Sequence, residues 1–89
     1  MMWQVRFDIR AYKEFKTLSR QIQKEILDYM DQRIATNEDP RRFGKSLSYD
    51  KRGLWRYRVR DYRIICKIYD NEFLVLAIKV GYRKDVYDD

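Results

Sequence analysis

The chain contains no histidine, a single cysteine, a single proline and only three glycines in 89 residues. Without histidine, imidazole acid–base chemistry is excluded, and with it a histidine-based ribonuclease mechanism. One thiol and no imidazole leave no ligand set at zinc spacing, so neither metal nor other cofactor is expected. Cys66 has no partner for an internal disulfide, and cytosol is the expected compartment. No apolar run approaches the roughly 20 residues that cross a bilayer. The stretch Met1-Met2-Trp3-Gln4-Val5-Arg6 lacks the apolar core of a signal peptide. The three glycines form no phosphate-cradling loop. Repeats, linkers and low-complexity tracts are absent, so one domain is expected over residues 1–89, with a core near the lower size limit for independent stability.

What is present is 45% hydrophobic and 16% aromatic, the composition of a folded globule. The net charge is +6, and it is unevenly placed. Between Arg41 and Lys67 stand ten basic residues against two acidic ones, Asp50 and Asp61, whereas the remainder has ten basic and twelve acidic. Solubility requires charge but no such segregation. A focused basic segment points to a polyanionic partner, and nucleic acid comes first.

Trp3, Val5, Phe7 and Ile9 alternate with polar residues, which predicts a half-buried strand. Asp8 is placed to cap a short helix with Ala11, Phe15 and Leu18 on one stripe. Ser19 starts a longer helix whose inner face is Ile22, Ile26, Met30 and Ile34, supported by Leu27 and Tyr29. The sequence Asn37-Glu38-Asp39-Pro40 ends it. A basic connector follows over Arg41 to Arg52, with a turn at Gly44. Three strands are then expected at about Leu54 to Arg60, Tyr62 to Tyr69 and Glu72 to Val80, separated by breaks at Asp61 and Asp70-Asn71. The fold class is α+β: an N-terminal strand, a two-helix hairpin and a three-stranded antiparallel meander, the helix pair packing on a curved antiparallel sheet.

Strand alternation sets Arg56, Arg58 and Arg60 on one face and Trp55, Tyr57 and Val59 on the other. On the next strand Arg63, Ile65, Lys67 and Tyr69 share a face, opposite Tyr62, Ile64, Cys66 and Ile68. If the arginine faces coincide, four guanidiniums converge, an arrangement suited to clamping phosphates. The alternative is a solvated outer face, which accounts for polarity but not for the choice of arginine. Cys66, between Ile64 and Ile68, reads as a core residue rather than a nucleophile. Trp55, Tyr57 and Tyr62 also read as core, although an exposed aromatic would stack a base.

Three motifs carry a family resemblance. Gly53-Leu54-Trp55-Arg56-Tyr57-Arg58-Val59-Arg60-Asp61-Tyr62-Arg63-Ile64-Ile65 resembles the strand pair of RelE-family toxins. Ile78-Lys79-Val80-Gly81-Tyr82-Arg83-Lys84-Asp85-Val86-Tyr87 resembles the family's C-terminal ending. Ala11-Tyr12-Lys13-Glu14-Phe15-Lys16-Thr17-Leu18 resembles its first helix. The resemblance spans nearly the whole chain and implies the RelE-like microbial RNase fold, within the RelE/ParE toxin superfamily. It implies a toxin of a type II toxin–antitoxin system that cleaves messenger RNA in the ribosomal A site, held inactive by a RelB-like antitoxin in a hetero-oligomer. ParE-type relatives share the fold, act on DNA gyrase, and typically lack the arginine-plus-tyrosine ending. A catalytically inert binding module and a plain basic RNA-binding domain are the other readings.

Carried over by motif, the implied catalytic residues are Arg56, Arg58, Arg63, Arg83 and Tyr87. Arg41, Arg42, Lys45, Lys51, Arg52, Arg60, Lys67, Tyr82 and Lys84 are the accompanying candidates for contact with RNA and ribosome. The implied reaction is attack of a ribose 2′-hydroxyl on the adjacent phosphorus, giving a cyclic phosphate and a free 5′-hydroxyl. Arg63 and Arg83 suit the developing phosphorane charge. Tyr87 suits base stacking, or proton exchange if nearby arginines lower its pKa. Relatives often carry lysine where this chain has Arg56 and Arg58, and a guanidinium does not deprotonate. The general base then falls to Tyr87, to a lysine such as Lys67 or Lys84, or to a ribosomal group. Tyr82 stands where relatives commonly have histidine.

Overall fold

The computed structural model describes residues 1–47 and 53–86. Strand β1 (Gln4–Phe7) leads into helix α1 (Ile9–Lys16), helix α2 (Arg20–Tyr29) and, after a connector, strands β2 (Lys45–Ser46), β3 (Trp55–Val59), β4 (Tyr62–Tyr69) and β5 (Leu74–Tyr82). The expected caps are in place. Asp8 Oδ1 accepts from the Ala11 amide at 2.8 Å, and Ser19 Oγ accepts from the Ile22 amide at 3.3 Å. Ile9 belongs to the helix rather than the strand, and it is exposed, because the cap at Asp8 ends the extended run. Helix α2 does not stop at Tyr29. It widens into a π turn over Met30–Ile34, closed by the Ala35 amide on the Met30 carbonyl at 2.8 Å.

The sheet order is β1-β5-β4-β3-β2. The α+β class and the β3-β4-β5 meander hold, but the sheet is mixed: β1 runs parallel to β5, with Val5 opposite Val75 and Phe7 opposite Ala77. The helix hairpin between β1 and the meander carries the chain across, which permits parallel pairing. A short fifth strand, β2, pairs Lys45 with Arg56 at the far edge. Gly44 makes that approach possible. Its φ is 78°, and a side chain there would lie 2.8 Å from Trp55 Nε1 and run into the Arg56 carbonyl.

The helices cover one face. Ala11, Phe15, Ile26, Met30 and Ile34 pack against Tyr57, Val59, Ile64, Cys66, Val75, Ala77 and Val80. Ile22 and Tyr29 join at the margin as expected, whereas Leu27 is exposed. Cys66 is fully buried, and burial pushes its thiol pKa well up, consistent with a core residue. Tyr57 is likewise core and donates from its hydroxyl to the Pro40 carbonyl at 2.6 Å. Trp55 and Tyr62 are half-buried against the same cluster. Among the described residues no helix is long and apolar enough to cross a membrane.

Candidate nucleic-acid interface

The face of the sheet turned away from the helices carries the arginines. Arg58 on β3 pairs with Arg63 on β4, and Arg63 pairs with Gly81 on β5. Partners in a ladder point to the same side. Arg56 lies two residues along β3 from Arg58, opposite Ile65, and so shares this side. Lys67, opposite Leu76, continues the row on β4. Beside these cations lies a small apolar floor of Leu54, Ile65 and Val86, with Leu47 and Ile78 at its edge. The arginine faces of β3 and β4 therefore coincide, the condition that alternation within each strand left open.

Arg83 reaches this face from the segment just after β5. Its amide donates to the Asp61 carbonyl at 2.7 Å, which extends the sheet past Tyr82. The Asp61 carboxylate stands between two cations, 3.8 Å from Arg58 Nη2 and 3.9 Å from Arg83 Nε. Both separations exceed hydrogen-bond length, so the carboxylate screens the pair without locking it. Arg58 Nε donates instead to the Arg60 carbonyl at 2.9 Å. Arg63 Nη1 is buried within the sheet face. Sequence reasoning read Asp61 only as a turn residue. Its position directly between Arg60 and Tyr62, at the hairpin tip, is the signal that it would meet whatever flanks the turn.

Several other expectations fall differently. Arg60 leaves the cluster because β3 ends at Val59, and the hairpin turn puts Arg60 at φ 53°. Its side chain turns to helix α2 and hydrogen-bonds Glu25, whose carboxyl pKa is lowered chiefly by that bond. Tyr82 points to the helix side, where its ring meets Tyr62 edge-on with centroids 5.5 Å apart. Arg41 is held by both oxygens of Asp70, at 2.8 and 2.9 Å, near the β4–β5 turn. That turn is at the opposite end of β4 from Asp61, roughly 25 Å away at strand rise. Arg42 pairs with Glu38 at 2.9 Å and lies over the Phe43 ring. Lys45 stays with the site, since it opposes Arg56 and lines an edge cleft with Tyr29, Gly44 and Arg58. Lys84 is exposed in the turn after β5. Lys51, Arg52 and Tyr87 lie outside the described residues.

The arrangement is thus three arginines, Arg58, Arg63 and Arg83, converging from three strand ends, with Arg56, Lys45 and Lys67 alongside. Planar guanidiniums on the sheet face suit the nonbridging oxygens of a phosphodiester, and the adjoining apolar cluster, buried at Leu54, Ile65 and Val86, anchors the segment that carries Arg83.

A family model described as the ParE toxin of the type II toxin–antitoxin system parDE matches residues 5–87. The fold is similar to that in the RelBE2 toxin–antitoxin complex of Mycobacterium tuberculosis, with a TM-score of 0.82 at 24% identity over 93% of both chains. The archaeal RelE–RelB complex of Pyrococcus horikoshii gives 0.74 at 21% identity, over 97% of this chain and 100% of that one. The intact E. coli RelBE complex gives 0.71 at 20% identity, over 90% and 95%. At these identities the likeness is one of fold. No curated protein matches the chain significantly by sequence.

Proposed function

The chain belongs to the RelE/ParE superfamily of type II toxin–antitoxin toxins, and from that premise we propose that it is an endoribonuclease of the RelE type, cutting messenger RNA in the ribosomal A site. The observation that carries this reading is the arginine face. Arg58 and Arg63 are paired across the ladder, and Arg83 is tied beside them through Asp61. A surface that gathers like charges at this density is stabilised when a phosphate enters it.

In this reading the RNA backbone lies across the sheet with its scissile phosphate between Arg63 and Arg83. The 2′-hydroxyl attacks the adjacent phosphorus, the phosphorane charge spreads onto the guanidiniums, and the 5′-oxygen leaves with a proton. Arginine holds the charge and does not take the proton. Tyr87, which follows the buried Val86, is the residue assigned to stack a base or to move the proton. The chain supplies charge and little else, so alignment of the 2′-hydroxyl falls to the ribosome, and free RNA should be cut slowly. Binding to a RelB-like antitoxin in the cytoplasm completes the reading, supported by the antitoxin complexes among the structural likenesses.

The test is brief induction in cells, with 5′ ends mapped on translated and untranslated copies of one transcript. Codon-phased cuts confined to the translated copy, and lost in Arg83→Ala and Tyr87→Ala, are the expected result. Intact messages in arrested cells, with DNA breaks that survive both substitutions, would replace this reading by action on gyrase.

A further inference from the structure

Strand β5 changes face partway along. Up to Ala77 its odd-numbered residues point to the helices: Val75 and Ala77 are both fully buried there. Beyond that the even-numbered Val80 points inward, opposite Ile64. The switch is a bulge: Cys66 pairs with Ala77 and Ile65 with Lys79, leaving Ile78 as an extra residue. Shifting alternation by one residue exchanges every later side chain between the two faces. Unbroken alternation from Ala77 would send Gly81 and Arg83 to the helix side. The bulge sends them to the arginine face instead.

The bulge lies where β5 has lost a neighbour. Strand β1 ends opposite Ala77, and past that point α1 runs along the open edge of β5. There the carboxylate of Glu14 substitutes for the missing strand. Its Oε1 accepts from the Val80 amide at 2.9 Å, and its Oε2 faces Lys79 Nζ at 3.4 Å. A second consequence appears at Gly81. A β-carbon there would come within 2.8 Å of Val86 Cγ2, so the turned-out glycine is the seat on which Val86 packs against Leu54 and Ile65.

We propose that Glu14 is a positioning residue: its carboxylate holds the β5 bulge and so sets Gly81, Arg83 and the Val86 segment on the arginine face. This deepens the nuclease reading and rests on it for the consequence in catalysis, but the structural claim stands alone. Glu14 lies on α1, on the helix-covered side of the sheet, and acts through the Val80 amide. Glutamine at this position keeps a carbonyl oxygen for the Val80 amide, whereas leucine keeps the helix and removes the acceptor.

The experiment compares the full-length wild type with Glu14→Gln and Glu14→Leu. It measures amide exchange at Val80, cross-relaxation between the Val86 methyls and Gly81 Hα, and kcat and KM on programmed ribosomes. Glu14→Leu should speed Val80 exchange at least about tenfold, the factor one charge-assisted hydrogen bond supplies. It should lose the Val86–Gly81 signal and lower kcat about tenfold with KM little changed, as expected when a transition-state contact is misplaced. Glu14→Gln, which keeps a neutral acceptor, should lie between the two in Val80 exchange and retain the Val86–Gly81 signal and kcat. Unchanged Val80 exchange in Glu14→Leu or a retained Val86–Gly81 signal would overturn the proposal, and full kcat in that variant would overturn its consequence in catalysis. A wild type that cuts no RNA removes the nuclease reading, and the exchange and cross-relaxation results then decide the role of Glu14.

Discussion

Arg58 and Arg63 stand directly opposite each other in the β3–β4 ladder, where like charges repel. The repulsion within the pair opposes folding while its charge attracts phosphate, so substitution can separate what it does for function from what it does for folding. Arg58→Thr keeps β propensity and removes one charge. Unfolding in urea should show stability unchanged or raised, by up to about 0.5 kcal/mol. Binding to single-stranded RNA should weaken, with a shallower salt dependence. A loss of about 2 kcal/mol or more, on the order of a buried network's rupture, would make Arg58 a structural residue instead.

Asp61 screens Arg58 and Arg83 from positions just beyond hydrogen-bond length. Asp61→Asn keeps the turn and the carbonyl that receives the Arg83 amide. RNA affinity at fixed salt should rise about three- to tenfold, and the slope of log affinity against log salt should steepen by about 0.7 for each additional phosphate neutralised. Weaker binding by this variant would mean that the carboxylate organises the arginines rather than competing with phosphate for them.

Gly81 and Val86 share one space. Gly81→Ala overfills it and should cost about 1–3 kcal/mol. Adding Val86→Ala to that variant frees the room, so the double variant should be more stable than the sum of the two single losses implies. Simple additivity in thermal or urea unfolding would show that the two side chains do not meet.

Acid should destabilise the protein in part through Arg41 and Asp70. The Arg41 hydrogen bond holds the Asp70 carboxyl below its ordinary range. A carboxyl lowered on folding adds stability that is full above its unfolded pKa of about 4 and is lost as pH falls through the lower folded value. Arg41→Gln should therefore flatten the stability curve below about pH 4 and leave its shape between about pH 6 and 8 unchanged. Both groups are well exposed, so the effect is modest and should shrink in high salt. An identical acid limb in the two proteins would show that the pair contributes nothing.

Much of this molecule is written in short-range pattern. Alternation separates Tyr57 and Val59 from Arg56 and Arg58. The period of Ile26, Met30 and Ile34 marks the helix face that meets the sheet. Asp8 and Ser19 fix two helix starts by local hydrogen bonds. These features depend on residues within a few positions of one another, so the sequence by itself determined the class and the two-faced strands of the meander, while the β3–β4 register placed Arg58 and Arg63 on one side. Tertiary structure decided the rest. Parallel pairing of β1 with β5 joins segments about 70 residues apart. Arg60 is drawn off the arginine face by a turn and by Glu25 on a distant helix. The β5 bulge has no local marker in Ile78-Lys79-Val80, because what permits it is the end of a neighbouring strand and a carboxylate from α1. Side-chain period is a property of one element, whereas the face Arg83 occupies depends on which elements run out beside it.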